Sequence, residues 1–211
     1  MQQKEISKSV LKRLPVYLSY LKAQTDGPAN ISATALATAL NLGEVQVRKD
    51  LAMVSDGGRP KIGYNRIGLI DDIEQFLGYD NTNDAVIVGA GGLGGALMGY
   101  TGFAEYGLNI VAAFDVNPDL VGKVKSGKRI YPLEDLPQFC VEHKILMGII
   151  TVPAEHAQEV CNMLINSGIL AIWNFAPVHL DVPAGILVQN ENMATSLAVL
   201  SKHLSVQIGT L

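Results

Sequence analysis

Cysteine and long apolar runs are both scarce in this sequence. The 211 residues include two cysteines, Cys140 and Cys161, whose surroundings show neither CxxC nor Cys/His spacing, so we expect two buried thiols and no metal site. The absence of a run of about 18 apolar residues argues against a membrane span. The first residues, MQQKEISKSVLKRL, lack the apolar segment of a signal peptide. Together these absences predict a cytoplasmic protein.

The charge of the chain is unevenly distributed. Residues 1–70 carry ten Lys and Arg against five Asp and Glu, a net charge of +5. Residues 71–211 carry six against fifteen, a net charge of −9. A basic first third joined to an acidic remainder suggests that only the first third contacts a polyanion. Chance clustering is the alternative, and charge alone does not decide between the two.

The first third has the spacing of a helix-turn-helix. Residues 7–24 show the periodicity of an amphipathic helix, which Pro15 either kinks or divides in two. Ser32 is a suitable N-cap for a short second helix. The glycine-bearing turn at residues 41–43 then leads to a third helix over about 44–55, as between two crossing helices.

The outward side of the third helix is predicted to carry hydrogen-bond donors. Its inward stripe, at positions i, i+4 and i+7, consists of Val47, Leu51 and Val54. On the other side, Arg48 and Lys49 suit phosphate or guanine contacts, and Gln46 suits adenine. The alternative for each of the three is an ordinary solvated surface residue.

Residues 56–65, DGGRPKIGYN, predict a short hairpin with Arg59 and Lys61 near its tip, because glycine and proline exclude a helix. A hairpin directly after a recognition helix is typical of a winged helix. Its basic tip suits a narrow A·T-rich minor groove. After a linking helix, the polar stretch at 79–84 marks the end of a winged-helix DNA-binding domain that we assign to residues 1–80.

From residue 85 onward, short apolar strands alternate with helical stretches. This order predicts an α/β domain of the Rossmann type, a doubly wound parallel sheet, over residues 81–190. A final helical segment, 191–211, carries the apolar stripe Met193, Leu197, Leu200 and Leu204. The stripe needs a partner surface and supports dimerisation, with packing on its own subunit as the alternative.

A glycine loop follows the first strand of the second domain and opens a helix that we expect to end at about Tyr106. It reads GxGxxG and consists of Gly89, Ala90, Gly91, Gly92, Leu93 and Gly94. Such a loop lets a pyrophosphate approach the backbone and the positive helix N-terminus. Asp115, 21 residues after Gly94, ends the next strand and can accept both ribose hydroxyls while repelling a 2′-phosphate. NAD(H) is therefore the expected cofactor, and a loop that serves only packing is the alternative.

The chain lacks the residues that would use a bound dinucleotide as a reagent. No tyrosine has a lysine four residues later, and the last arginine is Arg129. A substrate-clamping arginine is therefore missing beside the histidines, which are His143, His156, His179 and His203. We expect no enzyme activity and interpret NAD(H) as a signal.

The whole chain resembles the Rex family of redox-sensing transcriptional repressors. The matching stretches are KRLPVYLSYL (12–21), VRKDLAMVSDGGRPKIGYN (47–65), VGAGGLGGAL (88–97), AFDVNPDLVG (113–122), TVPAEHAQ (151–158) and NFAPVHLDVP (174–183). The resemblance implies a homodimer that exchanges its C-terminal helix, binds inverted-repeat operator DNA and releases it when NADH binds. It also implies which residues border the nicotinamide: Tyr100, Thr151, Val152, Pro153, Asn174 and Phe175.

Two departures from the family pattern concern the nicotinamide. Asn192-Met193 stands where some members carry Asp-Phe, and Gly99 stands where others have an acid. We therefore expect a smaller difference in affinity between NADH and NAD⁺. Two alternatives to a redox repressor remain at this point, an NAD(P)-dependent oxidoreductase with a fused helical domain and a DNA-binding protein that senses another nucleotide.

Overall fold

The structure is a computed structural model that describes residues 7–81 and 83–209. It divides into two compact units between Asn81 and Thr82. Parts of the three predicted domain ranges, at residues 1–6, 82 and 210–211, lie outside the described residues, as does the side chain of Met193.

Unit 1 is a small helical domain with a two-stranded sheet. Its elements are α1 (Lys8–Ala23), β1 (Asn30–Ile31), α2 (Ala33–Leu40), α3 (Glu44–Val54), β2 (Tyr64–Asn65) and α4 (Arg66–Leu77). β1 and β2 pair antiparallel, with Asn30 opposite Asn65. The segment between α3 and β2 forms a tight hairpin in which Arg59 and Gly63 exchange backbone hydrogen bonds of 2.9 Å. The predicted winged helix is confirmed.

The helix starts in unit 1 follow local capping chemistry. The Ser32 hydroxyl accepts from the Ala35 N–H at 3.0 Å and begins α2, as predicted. Asn41 ends α2 in the left-handed conformation, with φ of 54°. Pro15 lies inside a single helix, α1, and does not divide it. The buried apolar face of α1 stabilises the helix on both sides of the proline.

A buried ion pair joins α1 to α3. Asp50 is 2% exposed, and it accepts from Arg13 Nε at 2.7 Å, Arg13 Nη2 at 2.9 Å and the Tyr17 hydroxyl at 2.8 Å. Burial acts to raise the pKa of Asp50, but the hydrogen bonds from Arg13 and Tyr17 outweigh it and hold that pKa below its ordinary value. Burial and the bond to Asp50 raise the pKa of Tyr17 to about 12.

Unit 2 is built on a seven-stranded sheet of order β5-β6-β4-β3-β7-β8-β9. Its elements are β3 (Asn83–Val88), α5 (Gly92–Gly99), β4 (Leu108–Asp115), β5 (Val124–Lys125), β6 (Lys128–Pro132), α6 (Leu136–His143), β7 (Met147–Ile150), α7 (Ala154–Asn166), β8 (Ala171–Asn174), β9 (Leu187–Asn190) and α8 (Met193–Gly209). All neighbouring strands are parallel except β5 and β6, which are antiparallel.

Helices cover both faces of this sheet. Along β3, Val86 and Val88 pack with residues of α6 and α7, whereas Ala85 and Ile87 pack with Met98 of α5. A strand that is buried on both faces is continuously apolar, which is why it was recognisable in the sequence. The predicted Rossmann-type sheet is confirmed, and both cysteines are buried and unpaired as expected. Burial raises the pKa of the Cys140 thiol to about 11.

Two parts of unit 2 differ from the sequence expectation. The helix after the glycine loop was expected to reach Tyr106, but α5 ends at Gly99 and a 3₁₀ segment, Thr101–Tyr106, follows it. Glycines at positions 99 and 102 weaken a longer α-helix. β5, β6, α6 and β9 were not predicted.

The last helix, α8, is amphipathic with its apolar side uncovered. Leu197, Leu200 and Leu204 are 62%, 64% and 53% exposed. No helix among the described residues is long and apolar enough to cross a membrane.

We expect Asp50→Ala to lower the free energy of unfolding by about 3 kcal/mol, because it leaves Arg13 and the Tyr17 hydroxyl without their acceptor. Since folding lowers the pKa of Asp50, this stabilisation is present above the ordinary value of 3.8 and is lost as the pH falls below it. Since folding raises the pKa of Tyr17, stability also falls as the pH rises from 10.0 toward about 12. Urea unfolding over a pH series measures both effects.

Glu74→Ala is the matched control, because it removes a surface ion pair with Lys22 whose side chain is 36% exposed. A pair of this kind contributes less than about 1 kcal/mol. Equal losses for the two variants would contradict the importance assigned to the buried pair.

Candidate functional site

The glycine loop connects the end of β3 to the start of α5. Gly89 has φ of 100°, which favours glycine, and its N–H donates to the Phe114 carbonyl at 2.8 Å. A Cβ placed on Gly94 would overlap the carbonyl oxygen of Gly89, so α5 packs against the loop only with glycine there. A Cβ on Gly91 or Gly92 would meet nothing within 4 Å. The loop is thus closed toward the protein and open on the side where a pyrophosphate would lie.

Asp115 lies beside this loop at the end of β4. Its Oδ2 accepts from the Ala90 N–H at 2.6 Å, and its Oδ1 accepts from the Asn117 N–H at 2.8 Å. Each carboxylate oxygen has a further lone pair, so the residue can still accept from ribose hydroxyls. The sequence indicated that Asp115 accepts from ribose hydroxyls. It did not indicate the bond from the Ala90 N–H, because that bond depends on the neighbouring strand.

Thr151 ties the end of β7 to the same loop. Its hydroxyl donates toward the Gly89 and Val88 carbonyls, at 2.7 and 3.0 Å. Val152 is half-buried and Pro153 is exposed, directly before the N-terminus of α7. The Thr151 side chain therefore positions the glycine loop, which is a role the sequence did not indicate.

Asn174 is fully buried at the end of β8. The two N–H groups of its amide are shared among three acceptors, the Ala176 carbonyl at 3.2 Å, the Val178 carbonyl at 3.0 Å and the Asn190 Oδ1 at 2.8 Å. Its Oδ1 accepts from the Ala176 N–H at 2.9 Å. The side chain shapes the loop after β8, so any contact with a dinucleotide would come from the backbone of that loop.

A row of aromatic rings runs beside these loops. Tyr100 is 56% exposed and packs edge-on against Phe103 at 4.7 Å between ring centroids. Phe103 contacts Trp173 at 5.5 Å, and Trp173 contacts Phe175 at 4.8 Å. Trp173 Nε1 also donates to Glu191 Oε1 at 3.0 Å. No local pattern predicts the Trp173–Glu191 bond, because its partners are 18 residues apart.

The recognition helix of unit 1 has the expected orientation. Val47 and Leu51 are fully buried and Val54 is half-buried, whereas Gln46, Arg48 and Lys49 are exposed. Arg48 forms an ion pair with Glu44 one turn earlier, and Gln46 lies close enough to Asp50 to help hold the pKa of that carboxyl below its ordinary value.

Arg59 and Lys61 are both exposed on the wing. Lys61 is in the left-handed conformation at the turn, with φ of 65°. A Cβ on Gly63 would overlap the Ile31 carbonyl oxygen, so the wing lies closely against β1. The wing therefore has a defined base and a basic tip.

The fold and site define a class of protein: one that joins a winged-helix unit with a basic outer surface to a Rossmann unit with an open dinucleotide loop. Two family models match the chain in this order, "Putative DNA-binding protein N-terminus" over residues 5–52 and "CoA binding domain" over residues 80–178.

The chain also matches curated relatives over nearly its whole length. It is 39% identical over 202 residues to the redox-sensing transcriptional repressor Rex of Bacteroides fragilis, covering 95% of this chain and 92% of the relative. It is 40% identical over 200 residues to Rex of Treponema denticola, covering 94% and 95%. The chain therefore belongs to the Rex family, whose members are transcriptional repressors and not enzymes.

Solved structures of a Rex-family repressor, RSP, have the same fold. The complex of RSP with β-NAD⁺ and operator DNA matches with a TM-score of 0.91 at 33% identity, covering 97% of this chain and 95% of that one. The complex with β-NADH matches with a TM-score of 0.88, also at 33% identity, covering 97% of each chain.

We expect Gly91→Val to abolish dinucleotide binding and to leave folding and DNA binding intact, because the added atoms occupy the open side of the loop. Calorimetry with NADH measures the first effect, and thermal unfolding measures the second. Unchanged NADH affinity in this variant would refute the assignment of the loop.

Gly94→Ala is the contrasting variant, because its Cβ overlaps the Gly89 carbonyl. We expect it to cost about 2 kcal/mol of stability or more, since the packed backbone has little room to move.

Proposed function

We propose that this chain is a homodimeric, redox-sensing transcriptional repressor that binds an inverted-repeat operator and is released when NADH binds unit 2. The observation that carries the proposal is the open glycine loop beside Asp115, in the same chain as a basic winged helix. Membership in the Rex family supports it, since the relative RSP was solved with operator DNA, with β-NAD⁺ and with β-NADH.

The adenosine half of the dinucleotide would lie over the glycine loop. The N-terminus of α5 carries the positive end of a helix dipole, which suits a pyrophosphate. Asp115 would accept the ribose hydroxyls and repel a 2′-phosphate. The cofactor is therefore NAD(H), with contacts from the loop residues Gly89, Ala90, Gly91, Gly92, Leu93 and Gly94.

The nicotinamide would lie toward Tyr100 and the loops after β7 and β8, which contain Thr151, Val152, Pro153 and Phe175. Oxidised and reduced rings differ by one positive charge, so only groups near the ring can make the two affinities differ. A ligand shifts an equilibrium only by its differential affinity. With Asn192 neutral and Gly99 lacking a side chain, we expect a modest NADH preference.

The uncovered apolar side of α8 supports a dimer. Exchange of this helix between subunits would bury Leu197, Leu200 and Leu204, which are exposed in the single chain. A symmetric dimer presents two recognition helices to successive major grooves, which fits an inverted repeat.

We assign phosphate and base contacts to Gln46, Arg48, Lys49, Arg59 and Lys61. The named relatives are bacterial, and a bacterial repressor acts on DNA in the cytoplasm.

The experiment that tests this function is an operator mobility shift with NAD⁺ and NADH titrated separately. The operator is first selected by the protein from a random DNA pool. We expect NADH to release the DNA at lower concentration than NAD⁺.

Trp173 is the single tryptophan, and reduced nicotinamide absorbs where tryptophan emits, so quenching of Trp173 reports NADH binding directly. Release by coenzyme A or ATP instead of NADH would favour a sensor of another nucleotide.

Asp115→Ala should weaken NADH binding and narrow the preference over NADPH, because the ribose hydroxyls lose an acceptor and a 2′-phosphate loses a repelling charge. Calorimetry with both dinucleotides measures the ratio. Asp119→Ala removes an exposed acid four residues later and serves as the control. Equal binding of NADPH and NADH by the unchanged protein would show that Asp115 does not select the cofactor.

Lys49→Ala should weaken binding to all DNA and lower the salt slope by about one unit if Lys49 neutralises one phosphate.

Arg59→Ala should lose most affinity on operators with A·T-rich flanks, because a narrow minor groove attracts arginine. The measurement is binding to A·T-flanked and G·C-flanked operators over a salt series. Neither change should alter NADH affinity in the absence of DNA. Equal losses for Arg59→Ala on both flanks would mean that the wing contacts only phosphates.

A further inference from the structure

The residue of α3 that points most directly away from unit 1 is apolar. The buried side of the helix is formed by Val47, Asp50 and Leu51. With about 3.6 residues per turn, Val45 points roughly opposite to their mean direction. Its side chain is 63% exposed, in the first turn of the helix. Lys49 lies one turn further along the same outward side and is also exposed.

The side chains next to Val45 do not cover its outward side on the recognition helix. Gly43, the N-cap, has no side chain. Glu44 and Arg48 form an ion pair on one flank, and the exposed Gln46 lies on the other. The N-terminal turn of a recognition helix is the part that contacts base edges in the major groove. At this position the helix presents two methyl groups.

We propose that Val45 is a specificity-determining residue that recognises a thymine by packing on its 5-methyl group. The proposal rests on the operator-binding function proposed above. The thymine methyl is the apolar group that the major groove displays, and apolar side chains recognise it by contact. Two cations, Arg48 and Lys49, lie beside Val45. They favour DNA over an apolar protein surface as the partner.

The size of the effect follows from the area of one methyl contact. Loss of one buried methylene-sized group corresponds to about a fourfold loss in affinity. The dimer contacts two symmetric half-sites, each with one such thymine. Loss of the thymine methyl from both half-sites therefore corresponds to about a fifteenfold loss in affinity.

The test uses operators selected by the protein, in which each thymine position is replaced by uracil in both half-sites. Uracil lacks only the 5-methyl group, so pairing and charge are unchanged. We expect one position at which the unchanged protein loses about fifteenfold in affinity. Val45→Ala should bind the thymine operator about as weakly as the unchanged protein binds that uracil operator, and should not distinguish the two. Alanine favours the helix, so this variant is expected to fold.

Val141→Ala is the matched control, since Val141 is a 69% exposed valine on α6 of unit 2. It should keep the full thymine preference. The proposal is overturned if no uracil substitution weakens the unchanged protein, or if Val45→Ala still prefers thymine at the position in question. Failure of the unchanged protein to bind any selected DNA would instead contradict the operator-binding function itself.

Discussion

The close contact between the start of α5 and the glycine loop is the constraint on which the nucleotide site depends. Gly94 has no side chain, so the helix can approach the Gly89 carbonyl, and the loop then turns its open side outward. Two long-range bonds hold the loop in this position, one from Thr151, which follows β7, and one to Asp115, the last residue of β4. Three neighbouring strand ends therefore fix one backbone segment before any ligand arrives, which limits the entropy that binding must overcome.

The same edge of the sheet is connected to the base of α8. Asn174, the last residue of β8 and directly before the loop expected near the nicotinamide, bonds to Asn190, and Trp173 bonds to Glu191. Asn190 ends β9 and Glu191 follows it, two residues before α8 begins. A displacement of the loop after β8 would thus act on the base of α8. Side-chain hydrogen bonds thus connect the end of β8, which we expect near the nicotinamide, to the residues directly before the helix that we assign to the dimer.

The parts that the sequence predicted are those with local signals. The GxGxxG loop, the Ser32 cap and the stripe Val47, Leu51 and Val54 depend on spacings of a few residues, and spacing is visible in a single sequence. Strands β6 and β9 were missed because both carry polar residues and lack the apolar run of β3. The roles of Asp50 and Thr151 were missed because their partners lie far away in the chain, at Arg13 and at Gly89.

Coupling between the two ligands must be reciprocal. If NADH lowers the affinity for operator DNA by some factor, operator DNA lowers the affinity for NADH by the same factor, since both are differences between the same two states. Reversing a 99:1 equilibrium takes a differential affinity of about 5.5 kcal/mol, and equal affinity for both states shifts nothing. Because Asn192 is neutral and Gly99 has no side chain, neither of these two residues can contribute a charge that separates NADH from NAD⁺. We expect ring planarity against Tyr100 and Phe175 to contribute to the difference, because planarity is the other property in which the two rings differ.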